Sequence, residues 1–329
     1  MDDIARMANV AKSTVSRALQ GDPRVKAATR EFIVSLARKE GYAVNSNARK
    51  LRQNRSNTIA VVMHLPPGIN PGESTPFMFQ LLAEVATGLW LRRQDLLLCA
   101  PGSDDAFVYR NMLASKGADG LIFLGQGPGD SWLSALARTK APFVVWGAVD
   151  EKRQYSTVGS DNIKGGELAG TRFVQLGRKH VVFIGNRSHP EMAHRWTGLQ
   201  RGLAASPTPI EVESIDVPDF SYETAHAHVL SRLSNKRLRR PDAFFAASDT
   251  MAIAAVSTVQ ELGLKVPEDI SVVGYNDEVA AKRSRPALTT IRQDTRQAGS
   301  LLVEKLFQVL DGARPSSTTL PTELVVRET

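Results

Sequence analysis

One cysteine, Cys99, stands in 329 residues, so no intrachain disulfide can form, and the chain suits a reducing compartment. No apolar run approaches the roughly 20 residues that span a bilayer. Met1-Asp2-Asp3 is followed by no apolar stretch of the kind a secretory signal carries, so a cytoplasmic protein with no membrane partner is expected. Signatures of catalysis are missing too. There is no Gly-x-Ser-x-Gly elbow. Gly125-Gln-Gly-Pro-Gly129 has the glycines of a phosphate loop but contains Pro128 and lacks the Lys-Ser/Thr pair. His189, Glu191 and His194 follow no known metal-ligand spacing. Neither an enzyme nor a metal site is expected. Repeats at solenoid periods and low-complexity tracts are also lacking. Finally, no acid occurs between Glu40 and Glu73, a stretch that holds Arg49, Lys50, Arg52 and Arg55.

What is present is a lopsided charge. Residues 1–57 hold 12 Lys/Arg and 5 Asp/Glu, the whole of the net charge of +7, while the remainder holds 29 of each. A basic front on a neutral body is the footprint of a phosphate-neutralising module joined to one with another task. Within that front, Ile4, Ala5 and Ala8 fall on one helical face and Val15, Ala18 and Leu19 on another, with a break at Asn9 and Val10. Two short amphipathic helices across a tight turn predict a helix-turn-helix, whose second helix suits the major groove. Ala8 is small enough for close approach, and Asn9 tolerates a left-handed turn. Gly21-Asp22-Pro23 predicts a further turn. Ala27 to Glu40 predicts a third helix, stopped by Gly41, with Phe32, Ile33, Leu36 and Ala37 closing a core against Ile4, Val15, Leu19 and Val25.

From Thr58 the pattern becomes short, continuous apolar strands between helices. The strands are 59–63, 96–99, 120–124, 143–146, 180–184, 243–247 and 271–274; the helices include 78–93, 165–176, 197–205, 222–233, 251–262 and 295–310. Such alternation predicts α/β architecture with parallel sheets buried on both faces.

The string Ile4-Ala-Arg-Met-Ala-Asn-Val-Ala-Lys-Ser-Thr-Val-Ser-Arg-Ala-Leu19 closely resembles the headpiece of the Lac repressor family. The resemblance continues through Ala118-Asp-Gly-Leu-Ile-Phe, Val158-Gly-Ser-Asp-Asn-Ile-Lys-Gly-Gly, Arg195-Trp-Thr-Gly, Ala246-Ala-Ser-Asp-Thr-Met-Ala and Val273-Gly-Tyr-Asn-Asp. It implies an all-α headpiece at 1–43, a hinge helix or linker at 44–57, and a two-lobed periplasmic-binding-protein-like domain at 58–329. The N-lobe would comprise about 58–157 plus 289–318, and the C-lobe about 158–288 plus 319–329. Strands would cross between lobes near Thr157–Asp161, Pro286–Ile291 and Thr318–Pro321, with a ligand beyond the carboxyl ends of the strands.

A recognition helix over Lys12–Leu19 turns Lys12, Ser13 and Arg17 to the groove and Val15 and Leu19 to the core. The family correspondence gives those three residues base contacts, with Arg17 the candidate for a bidentate guanine contact, and puts Thr14 near phosphate. It also makes Gln20, Arg24, Lys26 and Thr29 backbone clamps. Ala11 replaces the family's usual capping Ser, and Asp2 is a candidate cap for the first helix unless the chain starts further upstream. Asn45 to Leu51 resembles the family's hinge helix, with Val44 in place of its usual Pro. The resemblance implies that it folds as a pair over the minor groove, with Leu51 as a wedge and Asn45, Ala48 and Arg49 beside it.

In the cleft, the resemblance points to Arg195 as a forked donor, to Phe220 and Phe77 as aromatic walls, and to His189, Ser248 and Asn276 as polar contacts. Asn276 replaces a usual Asp, which favours a neutral polyol or sugar over a cation. The expected protein is a homodimeric transcriptional regulator, most simply a repressor of carbohydrate genes. It binds palindromic operator DNA under control of a sugar-like effector and needs no cofactor. A corepressor-dependent regulator of non-sugar metabolism, with the opposite sign, stays open, as does a solute-binding protein serving a transporter. No leucine heptads precede Thr329, so a tail-mediated tetramer is not expected.

Overall fold

The computed structural model describes residues 1–19, 21–42, 55–64, 76–99, 105–127, 129, 131–150 and 152–329. It divides into two compact units, Met1–Ser56 and Asn57–Thr329.

The first unit contains helices α1 (Asp2–Met7), α2 (Lys12–Leu19) and α3 (Ala27–Lys39). Ile4, Ala5, Val15, Ala18, Val25 and Ile33 form its core, with Ala8, Val10, Leu19, Leu36 and Tyr42 packed around them. Asn9 takes φ +52 in the expected turn, and Gly41 takes φ +60 after α3. Two expectations fail. Phe32 is 54% exposed, because Ile33 and Ala37 already fill the inward stripe of α3. Asp2 lies inside the first turn of α1, not before it, and its carboxylate accepts from Lys12 Nζ at 2.9 Å instead of capping.

The second unit is built on two six-stranded sheets. The first has the order β11-β5-β4-β3-β1-β2, all parallel. Its strands are β1 (Thr58–Met63), β2 (Asp95–Cys99), β3 (Gly120–Leu124), β4 (Phe143–Trp146), β5 (Ser156–Ser160) and β11 (Thr318–Leu320). Helices α4 (Pro76–Leu91), α5 (Ala106–Ala114), α6 (Ser131–Arg138) and α12 (Thr295–Leu310) accompany it. Along β1, Ile59, Val61 and Met63 enter one core with Leu81 and Leu302, while Ala60 and Val62 enter another with Phe123 and Trp132. A strand buried on both faces must read as a continuous apolar run, and this one does.

The second sheet has the order β12-β10-β9-β8-β6-β7, parallel except for the antiparallel β10–β12 pair. It comprises β6 (His180–Ile184), β7 (Glu211–Ile215), β8 (Ala243–Ala246), β9 (Ser271–Asn276), β10 (Thr289–Gln293) and β12 (Thr322–Val325). Its helices are α7 (Asn162–Gln175), α8 (Pro190–Leu203), α9 (Tyr222–Ser234), α10 (Asp249–Glu261) and α11 (Val279–Arg283). Because β5 stays in the first sheet to Ser160 and β10 lies wholly in the second, the chain changes lobe at Asp161, Asp294 and Pro321. These crossings fall two to five residues beyond the lobe boundaries that the sequence suggested, since each strand completes its ladder before leaving the sheet.

Helices α7 and α8 meet backbone to backbone. A Cβ on Gly166 would stand 2.1 Å from the Arg195 carbonyl oxygen, and one on Gly198 would stand 1.9 Å from that of Ile163. Helix α8 begins at Pro190, seven residues before the expected Thr197. Proline at N1 and Glu191 in the first turn are the start signals.

Candidate functional site

In the first unit, Lys12, Ser13 and Arg17 are exposed on α2, Thr14 is half-buried, and Val15 is fully inward. Ala18 takes the inward position next to Leu19, which is only partly buried. Without a hydroxyl at residue 11, α2 starts on backbone alone, with the Ala11 carbonyl accepting from Thr14 N at 2.8 Å. Lys26 is exposed and Thr29 half-buried at the start of α3. Arg24 is not free: its Nη2 donates to Asp22 Oδ2 at 2.6 Å and its Nε to Oδ1 at 3.0 Å. The Arg24 guanidinium holds the Asp22 carboxyl down at about 2. Gln20, Asn45, Ala48, Arg49 and Leu51 lie outside the described residues.

In the second unit, one cavity opens at the carboxyl ends of strands from both sheets. It encloses roughly 770 Å³ of empty space, open solvent at its mouth included. Phe77, His189, Arg195, Phe220, Ser248 and Asn276 all line it. Four of them are placed by an element end. Phe77 sits at the start of α4, His189 immediately before α8, Ser248 immediately before α10, and Asn276 ends β9.

Arg195 is buried in the second turn of α8. Its Nε donates to Asn162 Oδ1 at 2.8 Å, its Nη1 donates to the Ala247 carbonyl at 2.5 Å, and its guanidinium stands 3.5 Å above the Tyr275 ring. Burial lowers the Arg195 pKa and, together with loss of water around the phenol, pushes Tyr275 up to about 12. A guanidinium fixed on three sides is a preorganised donor, so little entropy is lost when it binds. Phe77 leans on Trp146 at 5.8 Å, and Phe220 meets the His189 ring edge-on at 5.7 Å. Burial, with His64 nearby, keeps His189 toward its neutral form. Ser248 also has a structural duty, its Oγ accepting from Met251 N at 3.3 Å to cap α10.

The sequence reading missed His64, Gln126, Trp146, Glu191, Glu278 and Gln293, which line the same cavity. Gly127 takes φ +70, and any Cβ there would meet His64 Nε2 at 2.3 Å. The glycine-rich segment rejected as a phosphate loop is therefore a cleft wall. Gln126 ties it to the neighbouring loop, donating to the Ala148 carbonyl and accepting from Ala148 N, each at 3.1 Å.

Asn276 is held at φ +117 with Asp277 at +58, a left-handed pair that non-glycine residues seldom adopt. Its Nδ2 donates to Glu278 Oε1 at 3.1 Å and its Oδ1 accepts from Gln293 Nε2 at 2.7 Å. The cleft thus keeps a carboxyl at Glu278, two residues beyond the Asp-to-Asn replacement. Burial raises the Glu278 pKa, and it also raises that of Glu191, which is hemmed in by surrounding protein.

Among the described residues, no helix is long and apolar enough to cross a membrane. The sequence profile of bacterial regulatory proteins of the lacI family matches residues 1–45, and that of a periplasmic binding protein-like domain matches 171–329. The HTH-type transcriptional regulator CelR of Thermobifida fusca is 30% identical, covering 100% of this chain and 97% of its own. The ribose operon repressor of Haemophilus influenzae is 28% identical over 100% of this chain and 97% of its own. A Lac repressor dimer bound to operator and an anti-inducer superposes with a TM-score of 0.86 at 26% identity, covering 99% of this chain and 97% of that one. A CelR–cellobiose complex does so at 0.71 and 28%, covering 99% and 98%. With an end-to-end relative at this identity, a helix-turn-helix unit in front and a two-lobed cleft behind, the chain belongs to the lacI family of bacterial regulatory proteins and is a DNA-binding transcriptional regulator.

Proposed function

We propose that this regulator is a cytoplasmic repressor of carbohydrate genes that binds a palindromic operator as a homodimer and answers to a sugar-like effector in its cleft. The observation that carries the reading is the cleft itself, where Phe77, Trp146 and Phe220 offer flat apolar walls for a sugar ring. Arg195, Asn276 and Gln293 offer donors and acceptors for its hydroxyls. The relative in complex with cellobiose and the ribose operon repressor support a carbohydrate.

On the front unit, Arg17 serves as the base-reading residue, Lys12 and Ser13 join it, and Thr14, Lys26 and Thr29 bind the phosphates. The segment with Asn45, Ala48, Arg49 and Leu51 enters the minor groove.

A second copy of the chain fits the apolar surface of the first lobe. Trp90 and Leu91 on α4 are 75% and 70% exposed, and Leu97 and Leu98 on the edge strand β2, with Phe107 and Val108 on α5, are exposed as well. Exposed apolar residues of this size, gathered on one lobe, mark an interaction surface, and two-fold DNA sites call for two-fold proteins.

Effector binding closes the lobes, and by linkage the operator and effector change each other's affinity by the same factor. Fluorescence anisotropy on a palindromic duplex, titrated with a sugar panel, tests the reading. Operator binding released by one sugar supports it; binding indifferent to both operator sequence and every sugar refutes it. Removing residues 1–56 should abolish operator binding and leave ligand binding to the remaining unit.

A further inference from the structure

Three carboxyls stand together at the second-lobe side of the cleft: Asp249, Asp277 and Glu278. Asp277 is matched by basic side chains, with Arg292 Nε at 2.7 Å, Lys282 Nζ at 3.9 Å and Arg327 in contact. Asp249 and Glu278 are not. They are adjacent, with Glu278 N donating to Asp249 Oδ2 at 2.7 Å, and neither forms an ion pair among the described residues. Thr290 Oγ1 satisfies Asp249 at 2.5 Å, and the two acids oppose each other's ionisation.

Glu278 is 5% exposed and lines the cavity, and among the described residues its carboxylate is met by neutral donors: Asn276 Nδ2, Thr250 Oγ1 at 3.5 Å and the backbone N–H of Phe77. Arg195, the arginine of the cavity lining, is engaged on Asn162, the Ala247 carbonyl and the Tyr275 face, and burial keeps His189, on the same lining, toward its neutral form. A buried carboxylate is ordinarily paired. Among the described residues no Lys or Arg pairs with Glu278, and it lines the ligand cavity. Asn276, gripped by Gln293 on its other side, holds the carboxylate in place.

We propose that the ligand of this cleft carries a protonated amino group, as an amino sugar does, and that Glu278 is its counter-ion. This rests on the sugar-like reading above and narrows it. The aromatic walls take the apolar face of the ring, Arg195 takes hydroxyls, and the ammonium completes the ion pair that the fold leaves open. Glu191, on the same cavity wall, adds negative potential on the way in.

Calorimetric titration of the full chain with matched sets separates the alternatives: glucosamine against glucose and N-acetylglucosamine, galactosamine against galactose, and a chitosan disaccharide against cellobiose. The amine should bind at least about tenfold tighter than its neutral partners, and Glu278→Gln should erase that preference. A neutral sugar that binds as tightly as its amine, or a preference that survives Glu278→Gln, overturns the proposal while leaving the sugar reading intact.

Should no member of the panel bind, thermal unfolding of the free protein decides. A carboxylate awaiting a ligand's cation predicts that Glu278→Gln melts at or above the wild-type temperature. A clear drop assigns Glu278 to the scaffold and overturns the proposal.

Discussion

Adding one methyl group where α7 meets α8 should damage the cleft without touching it. In Gly198→Ala the new Cβ falls 1.9 Å from the Ile163 carbonyl oxygen, whereas real Cβ atoms keep at least 3.0 Å. The obstacle is backbone, so no rotamer relieves it, and the helices must part by about 1 Å. Overpacking of this kind costs about 1–3 kcal/mol. The upper end applies against a rigid neighbour, less about 1 kcal/mol regained from alanine's helix propensity. A net loss of about 2 kcal/mol lowers the melting temperature by roughly 4–8 °C.

Arg195 lies one turn upstream of Gly198, and the same shift strains its 2.8 Å and 2.5 Å hydrogen bonds. Losing one charged hydrogen bond is worth about 1.5–3 kcal/mol, so ligand affinity should fall at least tenfold. Operator binding without ligand should persist. Gly88→Ala is the control, because its Cβ would meet side chain and not backbone, a Val303 methyl at 3.1 Å being the nearest atom. Differential scanning fluorimetry and calorimetric ligand titration read both effects. If Gly198→Ala melts with the wild type and binds ligand equally, the backbone contact does not position the cleft.

Arg195→Ala should abolish the ligand's effect on operator binding while leaving operator affinity in place, as anisotropy with and without ligand would show; loss of both would assign Arg195 to folding. Arg17→Ala should reduce discrimination at one operator base pair by about 1–3 kcal/mol, and Lys26→Ala should weaken all sequences alike; equal effects on scrambled DNA would remove Arg17 from base reading. Burial raises the folded-state pKa of Asp249 and Glu278 above their unfolded values. The stability linked to them is therefore complete below about pH 4 and is lost as pH rises through the raised values. Asp277, lowered by Arg327 and Arg292 despite its burial, acts with the opposite sign in acid. The melting temperature of the ligand-free protein should thus fall as pH rises above about 4, and Asp249→Asn should flatten that fall; an unchanged slope would show that these acids do not set it. Phe32→Ser should change stability by no more than about 0.5 kcal/mol because its ring is exposed.

Strands β1, β3, β4, β6, β8 and β9 were legible because burial on both faces demands unbroken apolar runs. β7 was not, because Glu211-Val-Glu-Ser-Ile215 is an edge strand, half-exposed, and its alternation is too short to stand out. In the headpiece the turn at Asn9 was legible from residue type alone, whereas the outward placement of Phe32 was not. A helix of this size has room for one inward stripe, and hydrophobicity does not say which apolar residue is left over. In the cleft, Arg195 and the residues at strand ends could be named from the sequence. Glu278 could not, because an acid beside another acid reads as solvated surface. Only the left-handed backbone at Asn276 and Asp277 turns it inward. His64 was hidden for a related reason: its place in the cleft depends on Gly127, 63 positions away in the chain.

Between Leu320, the last residue of β11 in one sheet, and Thr322, the first of β12 in the other, stands Pro321 alone. A single-residue tether with a ring-locked torsion leaves no slack for sliding or separation, and the other two passages, at Asp161 and Asp294, are equally short. Three passages of one residue each act like the pins of a door: they should favour a swing of the lobes over a slide.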